Sequence, residues 1–193
     1  MKFTPTAIAG VMVAHMEPFG DERGVFERRF CAREVSAALG YEVCVKQVNR
    51  STTCVCGTLR GMHLQTPPMC ETKIVQCMKG RIFDVAVDVR KGSPTYLRWH
   101  GEELSPESGS ALCIPHGVAH GYQSLSDEAE VLYFTDQFYA PVNERTLNHA
   151  DPTLSIAWPL PVSLVSEKDR RAPLVDGSFV PVVVDTSGRC ACA

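Results

Sequence analysis

Hydrophobic and polar positions alternate most strictly over residues 82–89, IFDVAVDV, where Phe83, Val85, Val87 and Val89 fall on one face and Asp84, Ala86 and Asp88 on the other. A period of two is the signature of a β-strand. Residues 71–79 alternate as well and put Lys73 on the face of Val75 and Cys77. A lysine there either snorkels to water or, at the mouth of a barrel, meets an anion. Similar runs, separated by turn residues, predict strands over 8–16, 25–30, 43–50, 55–64, 73–78, 81–89, 96–103, 111–114, 119–124 and 130–135. Residues 32–39 form the one early helical candidate, stopped by Gly40. Many short strands at regular spacing imply an all-β, antiparallel sandwich or barrel, with short flanking helices in the N-terminal third and the C-terminal tail.

Composition narrows the class. A chain of 193 residues, 45% hydrophobic and 21% charged, fits one soluble globular domain. We expect a core over about 8–160 and an extension over 161–193. No apolar run reaches the roughly eighteen residues of a membrane-spanning helix. Pro5, Glu17 and Pro18 interrupt the apolar N-terminal stretch and argue against a signal peptide. A net charge of −3 without a basic stripe gives no reason to expect nucleic acid. The nine cysteines are odd in number. Cys54 and Cys56, like Cys190 and Cys192, are two apart, so neither pair is a C-x-x-C motif. Reduced, mostly buried thiols in a cytoplasmic protein are expected, with a frayed Cys-Ala-Cys-Ala tail.

Candidate chemistry concentrates in residues 57–73, GTLRGMHLQTPPMCETK, which place Arg60, His63 and Lys73 among two glycines and two prolines. Cationic and proton-transferring groups are costly to bury unless an anionic ligand is expected. This points to an enzyme with His63 as proton-transfer centre, although a lone strand histidine is more often structural. Strict alternation separates Arg60 from His63, and a bulge at Gly61 would turn both toward one cavity.

Two segments resemble the paired motifs of cupins. The second, GSALCIPHGVAH, has Gly109, Pro115, Gly117 and His120 at the right spacing. The first is incomplete, because Gln65 stands where a metal-binding cupin offers its next histidine. The likeness therefore implies a cupin-like jelly roll and argues against a metal.

The chain further resembles the dTDP-4-dehydrorhamnose 3,5-epimerase family of nucleotide-sugar epimerases. The matching pieces are DERGVF at 21–26, QVNRS at 47–51, TLRGMHLQ at 58–65, GRIFDVAVDVRKGSPTY at 80–96, IPHGVAHGY at 114–122, AEVLYFT at 129–135, YAPVNER at 139–145 and SEKDRRAP at 166–173. The resemblance implies cofactor-independent inversion at C3, C5 or both of a nucleotide-diphosphate 4-keto-6-deoxy hexose. By matched position His63 is the base, Asp169 from the tail polarises it, and Tyr133 is the acid. Lys73 and Arg60 stand near the enolate oxygen. Arg23 would meet the diphosphate, Phe26, Phe138 and Tyr139 would flank the base, and Gln47, Asn49 and His120 would line the sugar pocket, with Glu144 also at the substrate. Arg28 and His149 depart from the family pattern at the pocket rim, as do Leu64, Phe134 and Glu71-Thr72. The resemblance also implies a homodimer through N-terminal strand exchange, bringing Arg23 and Phe26 into the neighbour's pocket. A metal-dependent cupin enzyme and a catalytically silent sugar-nucleotide binding module remain as alternatives.

Overall fold

The computed structural model describes residues 1–185. The first sheet contains β1 (Lys2–Pro5), β2 (Met12–His15), β5 (Gln47–Thr53), β7 (Lys73–Lys79), β10 (Ser110–Ile114) and β12 (Ala129–Thr135), in the order β1-β2-β10-β7-β12-β5. The second runs β13 (Glu144–Thr146), β6 (Thr58–Gln65), β11 (Val118–Ser124), β8 (Ile82–Asp88), β9 (Trp99–Leu104). The hairpin of β3 (Phe19–Asp21) and β4 (Gly24–Phe26) stands apart from both. All these pairings are antiparallel, whereas the short β14 (Leu164–Val165) joins β6 in parallel.

Apolar side chains explain the layering. Val75, Cys77, Leu112, Ile114 and Val131 of the first sheet meet Ile82, Ala86, Val118 and Tyr122 of the second in one buried cluster. This is the jelly-roll core expected from the alternation. On the outer side of the second sheet, Met62, Val85, Val87 and Ala119 are covered by Leu147, Leu154, Val175 and Val182 of the C-terminal segment. Strand β8 is thus buried on both faces, and its polar face is interior: Asp84 and Asp88 are fully buried. On the outer side of the first sheet, Val35 of α1 (Ala32–Leu39) packs with Ala14, Ile74 and Ala111. Gly40 ends α1 at φ 80°, the left-handed conformation glycine adopts without penalty.

Several boundaries differ from the alternation. The strand expected over 25–30 ends at Phe26, and that over 96–103 begins at Trp99, after turns that satisfy the buried Asp88 with Ser93 and Thr95 hydroxyls. The cysteine expectation also needs correction. Of those described, Cys70, Cys77 and Cys113 are buried, whereas Cys44 and Cys54 are exposed. Cys70 is disulfide-bonded, and six others are free. The Cys-Ala-Cys tail lies outside the described residues.

Candidate active site

The two sheets part at one end around a cavity of about 720 Å³. The pairing of β6 with β11 sets its geometry. His63 lies opposite His120, but Arg60 lies opposite Tyr122, so the register slips by one residue between them. Gly61 and Gly121 sit at the slip, and a Cβ on Gly61 would come 2.5 Å from the Gly121 Cα. Only glycine lets the two backbones approach so closely. Arg60 and His63, which strict alternation would separate, both line the cavity.

His63 Nε2 donates to Asp169 Oδ1 at 2.6 Å. Asp169 belongs to the single-turn α2 (Glu167–Arg170), whose cap Ser166 accepts from the Asp169 N–H at 3.1 Å. The Gly61 N–H donates to Asp169 Oδ2 at 3.3 Å. Pairing of β14 with the start of β6 and hydrogen bonds from Asn148 to the Arg170 and Ala172 carbonyls hold α2 against β6. Burial pushes the Asp169 carboxyl up, but the bonded His63 ring, the Gly61 N–H and the Ser166 hydroxyl outweigh it and hold the carboxyl below its ordinary value. A carboxylate only accepts, so Nε2 carries the proton toward Asp169 and Nδ1 is left as the basic nitrogen.

Tyr133 stands on the facing sheet, on β12 between Asn49 of β5 and Val75 of β7. Burial raises its phenol pKa first, and the negative charge of Glu71 adds to it. At neutral pH the phenol therefore keeps its proton. An imidazole with a free basic nitrogen and a proton-bearing phenol thus face each other across one cavity. Lys73, only 8% exposed, reaches toward His63: its Nζ donates to the His63 carbonyl at 3.3 Å.

Gln47, Asn49, Arg60, Lys73, His120, Tyr139 and Glu144 share this cavity with His63, Tyr133 and Asp169. His120 is fixed by Asp84 at 2.7 Å. The Tyr139 hydroxyl donates to Glu144 at 2.9 Å, and Glu144 pairs with Lys168 at 2.6 Å, closing a bridge from the 138–140 loop to α2. Gln47 secures the same loop through the Tyr139 N–H. Among the described residues, no group of three or more His, Cys, Asp and Glu side chains could hold a metal ion.

The other expected residues lie elsewhere in the single chain. Arg23 and Phe26 are on the β3–β4 hairpin, where Arg23 pairs with Asp21 and the Phe26 ring is exposed. Arg28 pairs with Glu34 at 2.7 Å. The Phe138 ring is exposed, with the Lys46 ammonium 5.5 Å from its centroid. His149 does not line the cavity, and burial holds its imidazole below the ordinary value. Sequence reasoning missed Gln65, Tyr122 and Lys168 as lining residues, and it placed Glu71 at the pocket rim without a role. Lys168 and Glu71 each had a local signal: Lys168 adjoins Asp169, and Glu71 shares the alternating face of Lys73.

A family model described as dTDP-4-dehydrorhamnose 3,5-epimerase matches residues 5–177. The chain belongs to this family. It is accordingly an isomerase of the epimerase class. A dTDP-4-dehydrorhamnose 3,5-epimerase of Shigella flexneri is 43% identical over 88% of this chain and 93% of its own length. A dTDP-4-dehydrorhamnose 3-epimerase of Streptomyces niveus is 37% identical, covering 91% of this chain and 84% of the relative. Among solved structures, the dTDP-6-deoxy-D-glucose-3,5-epimerase of Legionella pneumophila Philadelphia 1 in complex with dTDP-4-keto-L-rhamnose superposes with a TM-score of 0.86 at 36% identity, over 94% of this chain and 97% of that one. The likeness extends over both sheets and the segment that carries Asp169, and the fold is the cupin-like jelly roll of these enzymes.

Proposed function

We propose that this protein epimerises a dTDP-linked 4-keto-6-deoxy hexose without a cofactor, using His63 as base and Tyr133 as acid. The observation that carries the reading is the placement of the His63–Asp169 pair and the Tyr133 phenol on facing walls of one cavity. A proton on carbon next to a ketone is acidified because its loss leaves an enolate. His63 Nδ1 takes that proton, and the imidazolium is held by the Asp169 carboxylate. The enolate oxygen gathers negative charge, for which Lys73 and Arg60 are the nearby cations. Tyr133 then delivers its proton to the same carbon from the other face, which inverts the centre. Solvent takes the proton from His63 and restores that of Tyr133, so no electron or group is left over.

Gln47, Asn49 and His120 line the sugar pocket, and nucleotide recognition falls to the end presented by Tyr139, with Glu144 also at the substrate. We infer that Arg23 and Phe26 complete this end from a second copy of the chain, because they are exposed on a hairpin outside both sheets. We further infer one functional domain, with the extension after residue 160 supplying Asp169, and a cytoplasmic setting, in keeping with the soluble biosynthetic enzymes of this family. No helix among the described residues is long and apolar enough to cross a membrane.

The test is deuterium uptake from heavy water into dTDP-4-keto-6-deoxyglucose, read by NMR. Label at C3, C5 or both is expected and identifies which centres are inverted. His63→Ala should abolish uptake while retaining dTDP binding. Absence of label at both carbons with the wild-type protein overturns the reading.

A further inference from the structure

Glu71 is a carboxylate at the reacting end of the cavity that the mechanism above does not use. Its side chain is 11% exposed, and Oε1 lies 3.1 Å from Lys73 Nζ. The other oxygen, Oε2, accepts from Gln65 Nε2 at 3.2 Å. The same amide nitrogen shares its two protons among Glu71 and the Met69 and Phe138 carbonyls, and the Gln65 carbonyl accepts from the Ala140 N–H. Both carboxylate oxygens are therefore engaged by the protein, which suits a group acting through its neighbours rather than on a substrate.

Charge balance shows what such a group does here. The cavity is lined by three cations, Arg60, Lys73 and Lys168, and three carboxylates, Glu71, Glu144 and Asp169. Asp169 is engaged by His63 and Glu144 by Lys168. Glu71 alone stands against Lys73. Without it the reacting end would carry an uncompensated, nearly buried ammonium, which is costly and also mobile along its four-carbon stem.

We propose that Glu71 is a positioning residue that balances the Lys73 ammonium and fixes it against the His63 carbonyl, so that the reacting end of the cavity carries no surplus positive charge. The proposal rests on the epimerase reading for its meaning. A second consequence falls on Tyr133, since after burial the Glu71 charge is the next contribution keeping that phenol protonated. Through Gln65 the same carboxylate also joins Lys73 to the 138–140 loop that presents Tyr139, linking the reacting end to the nucleotide end.

Two measurements that need no turnover test this. The first is ultraviolet titration of the tyrosinate band, with Tyr133→Phe variants of each protein isolating the Tyr133 signal. E71Q keeps an oxygen that can accept from Gln65 but removes the charge, and its Tyr133 midpoint should fall. The second is calorimetric binding of dTDP. E71Q should bind this anion about threefold more tightly in low salt, with the gain lost in high salt. E71D keeps the charge and should behave as wild type in both. An unchanged midpoint or an unchanged dTDP affinity in E71Q overturns the proposal. Because neither readout depends on sugar epimerisation, failure of the functional reading would be seen separately, as absent deuterium uptake by the wild-type protein.

Discussion

Asp169 acts on catalysis only through His63, and its effect is one of direction. An amide at this position could donate to Nε2 and leave Nδ1 carrying the proton, with no lone pair toward the cavity. Asp169→Asn is therefore expected to lower kcat by about a thousandfold or more, with KM and dTDP affinity little changed. Steady-state kinetics beside calorimetry would show it, and a matched rise in KM would refute it. The sign of the pH dependence is equally definite. Tyr133 is active with its proton on, and burial raises its pKa above the ordinary value of 10.0. The rate of inversion, read by NMR, should thus hold through pH 10 and fall only beyond it, and Tyr133→Phe should lose most of that rate at every pH. On the acid side the Asp169 carboxyl is held below its ordinary value of 3.8. Its contribution to stability is present above that ordinary value and is lost as pH falls through the lower, folded one.

At the level of elements, the β6–β11 slip decides whether the site exists. Gly61 has φ 125°, a region closed to residues with a Cβ, and it meets the Gly121 backbone directly. Gly61→Ala should destabilise the fold by about 3 kcal/mol, lowering Tm by roughly 6 °C or more. Any folded fraction should show weakened deuterium uptake, because Arg60 and His63 would no longer share a wall. Thermal unfolding and label uptake on the same sample check both parts. This element also shows what the sequence carried. Alternation located β7, β8, β10, β11 and β12 nearly to the residue, because each has at least one face buried in a single layer. It could not place β1 or shorten the strand begun at Val25, since Lys2–Pro5 and Gly24–Phe26 are largely exposed and leave no apolar periodicity. The slip at Gly61 was readable from a glycine between two functional residues. The partner glycine on β11, and hence the tightness of the contact, was not. Glu71 stood out in the sequence only as a departure from the family pattern at the pocket rim, because its pairing with Lys73 and Gln65 depends on three side chains converging in space.

For the whole molecule, the β3–β4 hairpin poses a problem that one chain does not solve. Phe19, Val25 and Phe26 are 67%, 73% and 74% exposed, with Phe19 opposite Phe26 on strands that pair only with each other. A two-stranded ribbon is marginal in water unless something covers it. A second copy of the chain would cover these rings and pair the free edges, which is the isologous arrangement of most homodimers. It would also carry Arg23 to a diphosphate, where its guanidinium could exchange the Asp21 carboxylate for phosphate oxygens. Phe26→Asp should then convert a dimer into a folded monomer in sedimentation equilibrium, with the thermal transition of the barrel retained. The monomer should bind dTDP at least tenfold more weakly, a loss of about 1.4 kcal/mol. The His63–Asp169 pair lies wholly within one chain and survives the change, so the defect should appear as a raised KM with a smaller effect on kcat. A wild-type protein that sediments as a monomer and binds dTDP tightly would refute the arrangement. A Phe26→Asp dimer that binds normally would assign the hairpin to some other contact.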